Sequence, residues 1–184
     1  MKRNIFQKNN GFTLVELLTA VSVFLVIMTI SMGSIIGLFD TNRKSQSMKT
    51  VMDNLNFAVE SMSREMRFGR NYHCGSGGTP TVPLNCPNPG DSQVSFLSSD
   101  GLVITYKLNG TQIEKQVGLS GDFIAVTAPE VVIENLTFYV IGAPVGDGFQ
   151  PKTLITIRGK AGAKSNTTSE FSVQALVSQR ALDL

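Results

Sequence analysis

The stretch that decides the fold runs from residue 11 to residue 39 and reads GFTLVELLTAVSVFLVIMTISMGSIIGLF. Its apolar part, residues 12–39, is about as long as an α-helix must be to cross a bilayer. A short polar segment, Met1 to Gly11, precedes it and carries three basic residues and no acid. Because a basic flank favours the cytoplasmic side, the pattern predicts a single-pass membrane helix with a cytoplasmic N-terminus and an exported C-terminal part.

Glu16 is the only ionisable side chain between Phe12 and Phe39. A carboxylate inside a membrane segment costs about 2.5–3.5 kcal/mol on insertion scales, so it requires a partner. Cleavage after Gly11 would supply one, since Phe12 would then carry a positively charged amine four residues from Glu16. A second subunit packed alongside, offset along the axis, would set the amine of one chain against the carboxylate of the next. That pair is strongly attractive in a low-dielectric surrounding.

Two other interpretations of the N-terminus explain less. A secretory signal peptide has an apolar core of roughly 7–15 residues followed by a small-x-small cleavage site. Here the apolar run is longer, and the small residue before a plausible cut, Gly11, lies ahead of it. A plain signal anchor fits the length of the run but leaves Glu16 unexplained.

The segment GFTLVELL, Gly11 to Leu18, resembles the prepilin cleavage and methylation motif of type IV pilins and type II secretion pseudopilins. The resemblance implies that a prepilin peptidase cuts between Gly11 and Phe12 and then N-methylates Phe12. It also implies that Glu16 pairs with the Phe12 amine of a neighbouring subunit, so that Glu16 is a subunit-assembly residue.

The same resemblance implies a structural protein rather than an enzyme. We expect a minor pilin or pseudopilin that initiates or caps a type II secretion pseudopilus or a type IV pilus, and the order of signals up to VSQR at residues 177–180 resembles J-type minor pseudopilins. Its expected partners are other pilins or pseudopilins, the prepilin peptidase, the inner-membrane assembly platform and membrane lipid. The expected location is the inner membrane, with a periplasmic or extracellular head. The alternative is a tip adhesin or a DNA-uptake receptor of a type IV or competence pilus.

Beyond the membrane segment, apolar residues recur at steps of three and four, which predicts that the helix continues to about Phe68 with one buried face. They are Met48, Val51, Met52, Leu55, Ala58, Val59, Met62 and Met66. Phe57 lies opposite this stripe. The predicted fold class is α+β, a pilin-like long helix packed on an antiparallel β-sheet. The predicted division is a leader at 1–11, a transmembrane helix at 12–39, an amphipathic continuation at 40–70 and a β-rich head at 71–184.

The remainder of the head predicts strands separated by turns. Residues 71–90, rich in glycine and proline, are predicted to be a loop, and residues 142–151 a long turn. Alternating apolar residues, as in Leu136, Phe138 and Val140, indicate a sheet with one covered face. The predicted strands are 94–97, 102–106, 112–115, 123–127, 131–140, 154–157 and 171–177.

Cys74 and Cys86 are the two cysteines of the chain. In an exported domain such a pair predicts a disulfide, here closing a loop of about a dozen residues and contributing about 2–3 kcal/mol. A zinc site that also uses His73 is the alternative, but a fourth ligand is missing. We therefore expect His73 to be a solvated loop residue.

No catalytic constellation is recognisable, and we expect no metal and no cofactor. His73 is the only histidine, and Asp100, Asp122 and Asp147 each sit beside glycine, a pattern typical of turns rather than of calcium binding. The net charge is only +2. A small basic cluster lacks interleaved aromatic residues, so we expect no nucleic-acid partner. Its members are Lys152, Arg158, Lys160 and Lys164.

Overall fold

The computed structural model describes residues 11–161 and 169–181. The chain divides into two compact units, residues 1–43 and 44–184. Of the predicted leader, only Gly11 lies within the described residues, and Lys164 of the basic cluster lies outside them.

One α-helix, α1, runs from Leu14 to Phe68, so the predicted continuation beyond the apolar segment is confirmed. The helix ends where the Gly69 N–H donates a hydrogen bond to the Met66 carbonyl, 2.9 Å away. A Cβ at Gly69 would lie 2.5 Å from Cδ2 of Phe96. Glycine is therefore required here because the chain turns directly over a buried ring.

Nine strands follow the helix. They are β1 (Arg70–Cys74), β2 (Cys86–Asp91), β3 (Gln93–Leu97), β4 (Val103–Asn109), β5 (Gln112–Val117), β6 (Ile124–Ala125), β7 (Val131–Ile141), β8 (Lys152–Ala161) and β9 (Ser169–Ser178). The antiparallel α+β fold class is confirmed, and each strand predicted from alternation or turn signals is present with shifted ends. The β4–β5 hairpin turns at Asn109-Gly110, where Gly110 has a φ of 59°.

The strands form two antiparallel sheets instead of the single sheet that was predicted. The first, sheet A, has the order β1-β3-β4-β5-β6, and the second, sheet B, has the order β2-β7-β8-β9. Local turn signals link neighbouring strands but do not reveal that β2 leaves its neighbours and pairs with the distant β7. That long-range pairing starts the second sheet.

The prediction that residues 71–90 form a loop is wrong at both ends. β1 buries Tyr72, His73 and Cys74, while β2 reads CPNPGD and has only two paired positions, with a register shift between them. β2 is the first strand of sheet B, and an edge strand tolerates prolines because one side of it needs no N–H donors. A composition rich in proline and glycine therefore concealed two real strands.

The predicted apolar stripe of the helix is confirmed as part of the core of residues 44–184. Five stripe residues are buried, and they are Val51, Leu55, Ala58, Met62 and Met66. Large side chains from both sheets join the same core, among them Phe96 of β3 and Phe138 of β7. Phe57, off the stripe, is 72% exposed.

Polar contacts also tie the last turns of the helix to sheet A. The Glu65 carboxylate accepts a hydrogen bond from the Tyr106 hydroxyl at 2.8 Å and pairs with the Lys115 ammonium at 2.5 Å. The Tyr72 hydroxyl donates to the carbonyl of Met66. Burial raises the pKa of Tyr72, and burial together with the nearby Glu65 carboxylate raises the pKa of Tyr106.

Replacing Leu55 with alanine should lower the free energy of unfolding of the head by about 2–5 kcal/mol, because a fully buried side chain would leave a cavity between helix and sheets. Phe57→Ala is the matched control on the same helix and should change stability by no more than about 0.5 kcal/mol. Chemical unfolding of the full chain in detergent, followed by near-ultraviolet circular dichroism of the tyrosines, measures both. Equal losses in the two variants would contradict the assignment of the buried face.

The raised pKa values of Tyr72 and Tyr106 predict that the head loses stability at high pH. Above a pH of about 10 the unfolded chain releases tyrosine protons that the folded head retains, so the free energy of unfolding falls as pH rises. Tyr106→Phe removes one of the two groups and should make this fall less steep. Unfolding curves collected at increasing pH measure the slope, and an unchanged slope in the variant would count against the prediction.

Candidate assembly site

The first turn of α1 is held by a side-chain cap. The Oγ1 of Thr13 accepts a hydrogen bond from the Glu16 N–H at 3.3 Å, and the Thr13 carbonyl accepts the Leu17 N–H at 3.2 Å. Thr13 therefore occupies the N-cap position and satisfies one of the amides that a helix start leaves without a partner. The sequence prediction missed this role, although threonine followed three residues later by glutamate is the recognised capping-box pattern.

Glu16 lies at the exposed surface of this first turn. None of the ion pairs among the described residues involves it. The positive end of the helix dipole favours a carboxylate at this position, but that effect amounts to only a fraction of a unit charge. The carboxylate is therefore placed to receive a cation from outside the described chain.

The helical surface around Glu16 is apolar and uncovered. All residues from Gly11 to Arg43 are exposed, including Phe12 at 83%. Within the described part of the chain, α1 is the one helix long and apolar enough to cross a membrane. Such a surface needs lipid or other protein around it, because large apolar areas are unfavourable in water.

Hydroxyl groups within the apolar segment are satisfied by the helix itself. Ser22, Thr29 and Ser31 each donate to the carbonyl four residues earlier, at 2.8 Å. Thr19 donates to the Glu16 carbonyl at 3.0 Å. These internal bonds reduce the cost of placing polar side chains where water is absent. Among the described residues, no hydrogen bond and no ion pair is made to the Glu16 carboxylate.

Gly11 and Phe12 precede the helix in non-helical, exposed backbone. Apart from Gly11 itself and its two chain neighbours, no heavy atom of the described structure lies within 4 Å of the position that a Cβ on Gly11 would take. The backbone on either side of the Gly11–Phe12 bond is thus open to an approaching group. The structure brings Phe12 and Glu16 to the same end of one helix, about one turn apart, whereas Cys74 and Cys86 lie in the head.

Cys74 and Cys86 are joined in a disulfide with a Cα–Cα distance of 5.8 Å, which agrees with the pairing predicted from the sequence. The bond links β1 of sheet A to β2 of sheet B. The disulfide therefore links the two sheets covalently, in addition to closing a loop.

The prediction that His73 is a solvated loop residue is wrong. Its side chain belongs to β1 and is only 3% exposed. Nδ1 lies 2.6 Å from the Val82 carbonyl oxygen, and Nε2 lies 2.6 Å from the Gly77 carbonyl oxygen. Within residues 11–161 and 169–181, no group of three or more His, Cys, Asp and Glu side chains is arranged to hold a metal ion.

The predicted basic cluster is spread along β8. Lys152 is paired in register with Ile141, and Lys160 with Val132, near opposite ends of the β7–β8 ladder. Lys160 also forms an ion pair with Glu134 at 2.6 Å, and the hydrogen bond that its ammonium donates to that carboxylate raises the pKa of Lys160. The described members of the cluster therefore do not form one compact cationic patch.

Comparison with known proteins identifies the N-terminal segment. Residues 6–32 match the family profile described as the prokaryotic N-terminal methylation motif. The matched range includes Gly11, Phe12 and Glu16. No curated protein and no solved structure matches the chain. The motif supports a type IV pilin-like protein, and the long apolar helix packed with antiparallel sheets is consistent with the pilin fold.

Thr13→Ala should loosen the first turn of α1, since loss of an N-cap side chain costs about 1 kcal/mol. Hydrogen exchange at the Glu16 amide, measured by NMR on the full chain in micelles, should become roughly fivefold faster. Thr13→Ser keeps an oxygen at the same position and should retain the slow exchange. Identical exchange in the alanine and serine variants would show that the cap contributes nothing.

Proposed function

We propose that this chain is a minor pilin or pseudopilin, a structural subunit that initiates or caps a type II secretion pseudopilus or a type IV pilus. The observation that carries the proposal is the isolated carboxylate of Glu16, within the matched methylation motif, on an otherwise apolar and uncovered helix. A soluble protein does not require an exposed apolar helix of this length. A simple membrane anchor does not require a carboxylate within its apolar segment.

Processing creates the cation that Glu16 lacks. Cleavage between Gly11 and Phe12 leaves a positively charged amine on Phe12, and N-methylation of that amine keeps its charge. The exposed, non-helical backbone at this bond supports access by a prepilin peptidase. Within one chain the new amine would lie four residues before Glu16 and two residues ahead of Leu14, where the helix begins.

Assembly then follows from electrostatics and packing. In the filament, residues 12–39 of neighbouring subunits pack side by side, and the Phe12 amine of one subunit pairs with Glu16 of the next. Away from water this pair is strongly attractive, while an unpaired carboxylate is costly, so the pairing selects one axial offset between subunits. The internally bonded hydroxyls of Ser22 and Thr29 support packing of this segment in an apolar surrounding.

The proposal assigns a role to each segment of the chain. Residues 1–11 are the leader, residues 12–39 span the inner membrane before assembly, and the helix continues from residue 40 to its end at Phe68. The β-rich head, which begins with β1 at Arg70, lies outside the cytoplasm. The Cys74–Cys86 disulfide supports this location of the head, because disulfides persist in oxidising compartments. The order of the strand signals and the VSQR ending support a minor, J-type position.

Glu16→Gln tests the role of the charge, because glutamine keeps nearly the same shape without a negative charge. We expect the variant to be inserted and cleaved like the natural chain but to enter filaments at least tenfold less, since loss of one paired charge in a low-dielectric site costs more than 1.4 kcal/mol. Glu16→Asp keeps the charge at a shorter reach and should retain part of the incorporation. Immunoblotting of sheared filaments against membrane fractions gives the ratio.

Mass spectrometry of the membrane-bound and filament fractions separates processing from assembly. The expected mature chain begins at Phe12 and carries one N-methyl group, in the natural protein and in both Glu16 variants. A functional filament subunit that still contains residues 1–11 would overturn the proposal. Normal incorporation of Glu16→Gln would overturn the electrostatic mechanism alone.

A further inference from the structure

The segment between the two cysteines, residues 75–85, is folded back against β1. Leu84 forms a parallel bridge with His73, with its N–H donating to the Tyr72 carbonyl at 2.9 Å. The Leu84 carbonyl accepts the Cys74 N–H at 3.1 Å. Between these bonds and the disulfide, residues 75–83 form a loop whose conformation depends on other contacts.

Two of those contacts are backbone hydrogen bonds, from the Gly75 N–H to the Gln93 carbonyl and from the Val82 N–H to the Thr79 carbonyl. The His73 imidazole supplies two more. One ring nitrogen faces the Val82 carbonyl oxygen and the other faces the Gly77 carbonyl oxygen, each at 2.6 Å. A carbonyl oxygen can only accept a hydrogen bond, so for both contacts to be hydrogen bonds both ring nitrogens must donate. A neutral imidazole has one N–H, and only the imidazolium has two.

A neutral ring in this place would be unfavourable. Its unprotonated nitrogen would point a lone pair at a carbonyl oxygen, within a side chain that is itself only 3% exposed. A buried polar group that loses its hydrogen bond pays its full desolvation cost. The contact that fails would then release one end of the loop.

The charged side chains near His73 do not take the place of the two carbonyl oxygens as partners of its ring. The loop itself, GSGGTPTVPLN, contains no charged residue. On β3 the register partner of His73 is the neutral Ser95, and on β1 the nearest charge, Arg70, is at the exposed far end of the strand. On β2, Asp91 packs beside Gly75, but none of the ion pairs among the described residues involves His73. The two carbonyl dipoles are thus the groups that accommodate the ring.

We propose that His73 is an imidazolium in the folded head and that this bound proton clamps the loop of residues 75–85. Loss of the proton breaks one of the two clamps and opens the loop between Gly77 and Val82, while the disulfide limits how far it moves. Val82 and Leu84 are 57% and 46% exposed on this loop, so the proton determines how an apolar surface is presented. The inference concerns the head alone and does not depend on the filament proposal.

The single histidine of the chain makes the test direct. Full-length protein with ¹⁵N-labelled histidine, in micelles, is titrated with base while NMR reports how many ring nitrogens carry a proton. Hydrogen exchange of the amides between Gly77 and Val82 is followed over the same range. The loop at residues 143–149 has no histidine contact and corrects for the intrinsic pH dependence of exchange.

We expect both ring nitrogens to be protonated wherever the loop is protected. Loss of the second proton should coincide with at least roughly tenfold faster corrected exchange, as expected when a hydrogen bond from a charged group is broken. A ring with one N–H while the loop remains protected would overturn the proposal, since the neutral form would then suffice.

His73→Gln is the matched variant, because a glutamine side chain offers donors at one end only. Its loop should exchange at least roughly tenfold faster than the natural loop at the lowest pH, and the corrected rate should no longer depend on pH. A loop that stays protected in this variant would overturn the proposal. Should the variant fail to fold, the titration of the natural protein decides the question by itself.

Discussion

The constraint on which the N-terminal half depends is one carboxylate on a helix that offers it no partner. The backbone of α1 satisfies its own hydrogen bonds, and hydroxyls such as those of Ser22 and Thr29 donate to carbonyls one turn back. Glu16 remains, helped only by the partial charge of the helix terminus. An isolated subunit in lipid therefore carries an unresolved electrostatic cost, and on the proposed function packing beside a processed neighbour removes it. The same group that makes the monomer unfavourable would then make the assembly specific.

The head depends on hydrogen bonds and ion pairs that join the end of α1 to sheet A and to the C-terminal segment. Glu65 bonds to sheet A through Tyr106 and Lys115, and the Arg180 N–H donates to the Arg67 carbonyl at 2.8 Å at the end of the helix. The disulfide then joins sheet A to sheet B. Because these links share one core with the buried stripe of α1, residues 44–184 should unfold as one cooperative unit.

The periodicity of apolar residues was sufficient to predict those elements whose burial imposes a regular repeat on the sequence. It predicted the helix to Phe68, its buried stripe and the later strands, because burial on one face imposes steps of three and four on a helix and of two on a strand. It failed for β1 and β2, whose pairing is set by distant strands and whose composition is typical of a loop. The error at His73 followed from that failure, because a residue in a buried strand was assigned to a solvated loop. The N-cap role of Thr13 was not predicted, although it rests on a local contact between its side chain and the Glu16 amide, three residues on.

The contacts around residues 75–85 differ in what can undo them. The disulfide breaks only on reduction, and the backbone bonds of Leu84 contain no group that titrates near neutral pH. The two contacts of the His73 ring are, among these, the ones that loss of a proton can weaken. Since Cys74 and Leu84 hold both flanks of the loop, opening at Gly77 and Val82 need not disturb the sheets behind it. A change in proton concentration can therefore alter the surface of the head while the fold, and the helix proposed to mediate assembly, remain as they are.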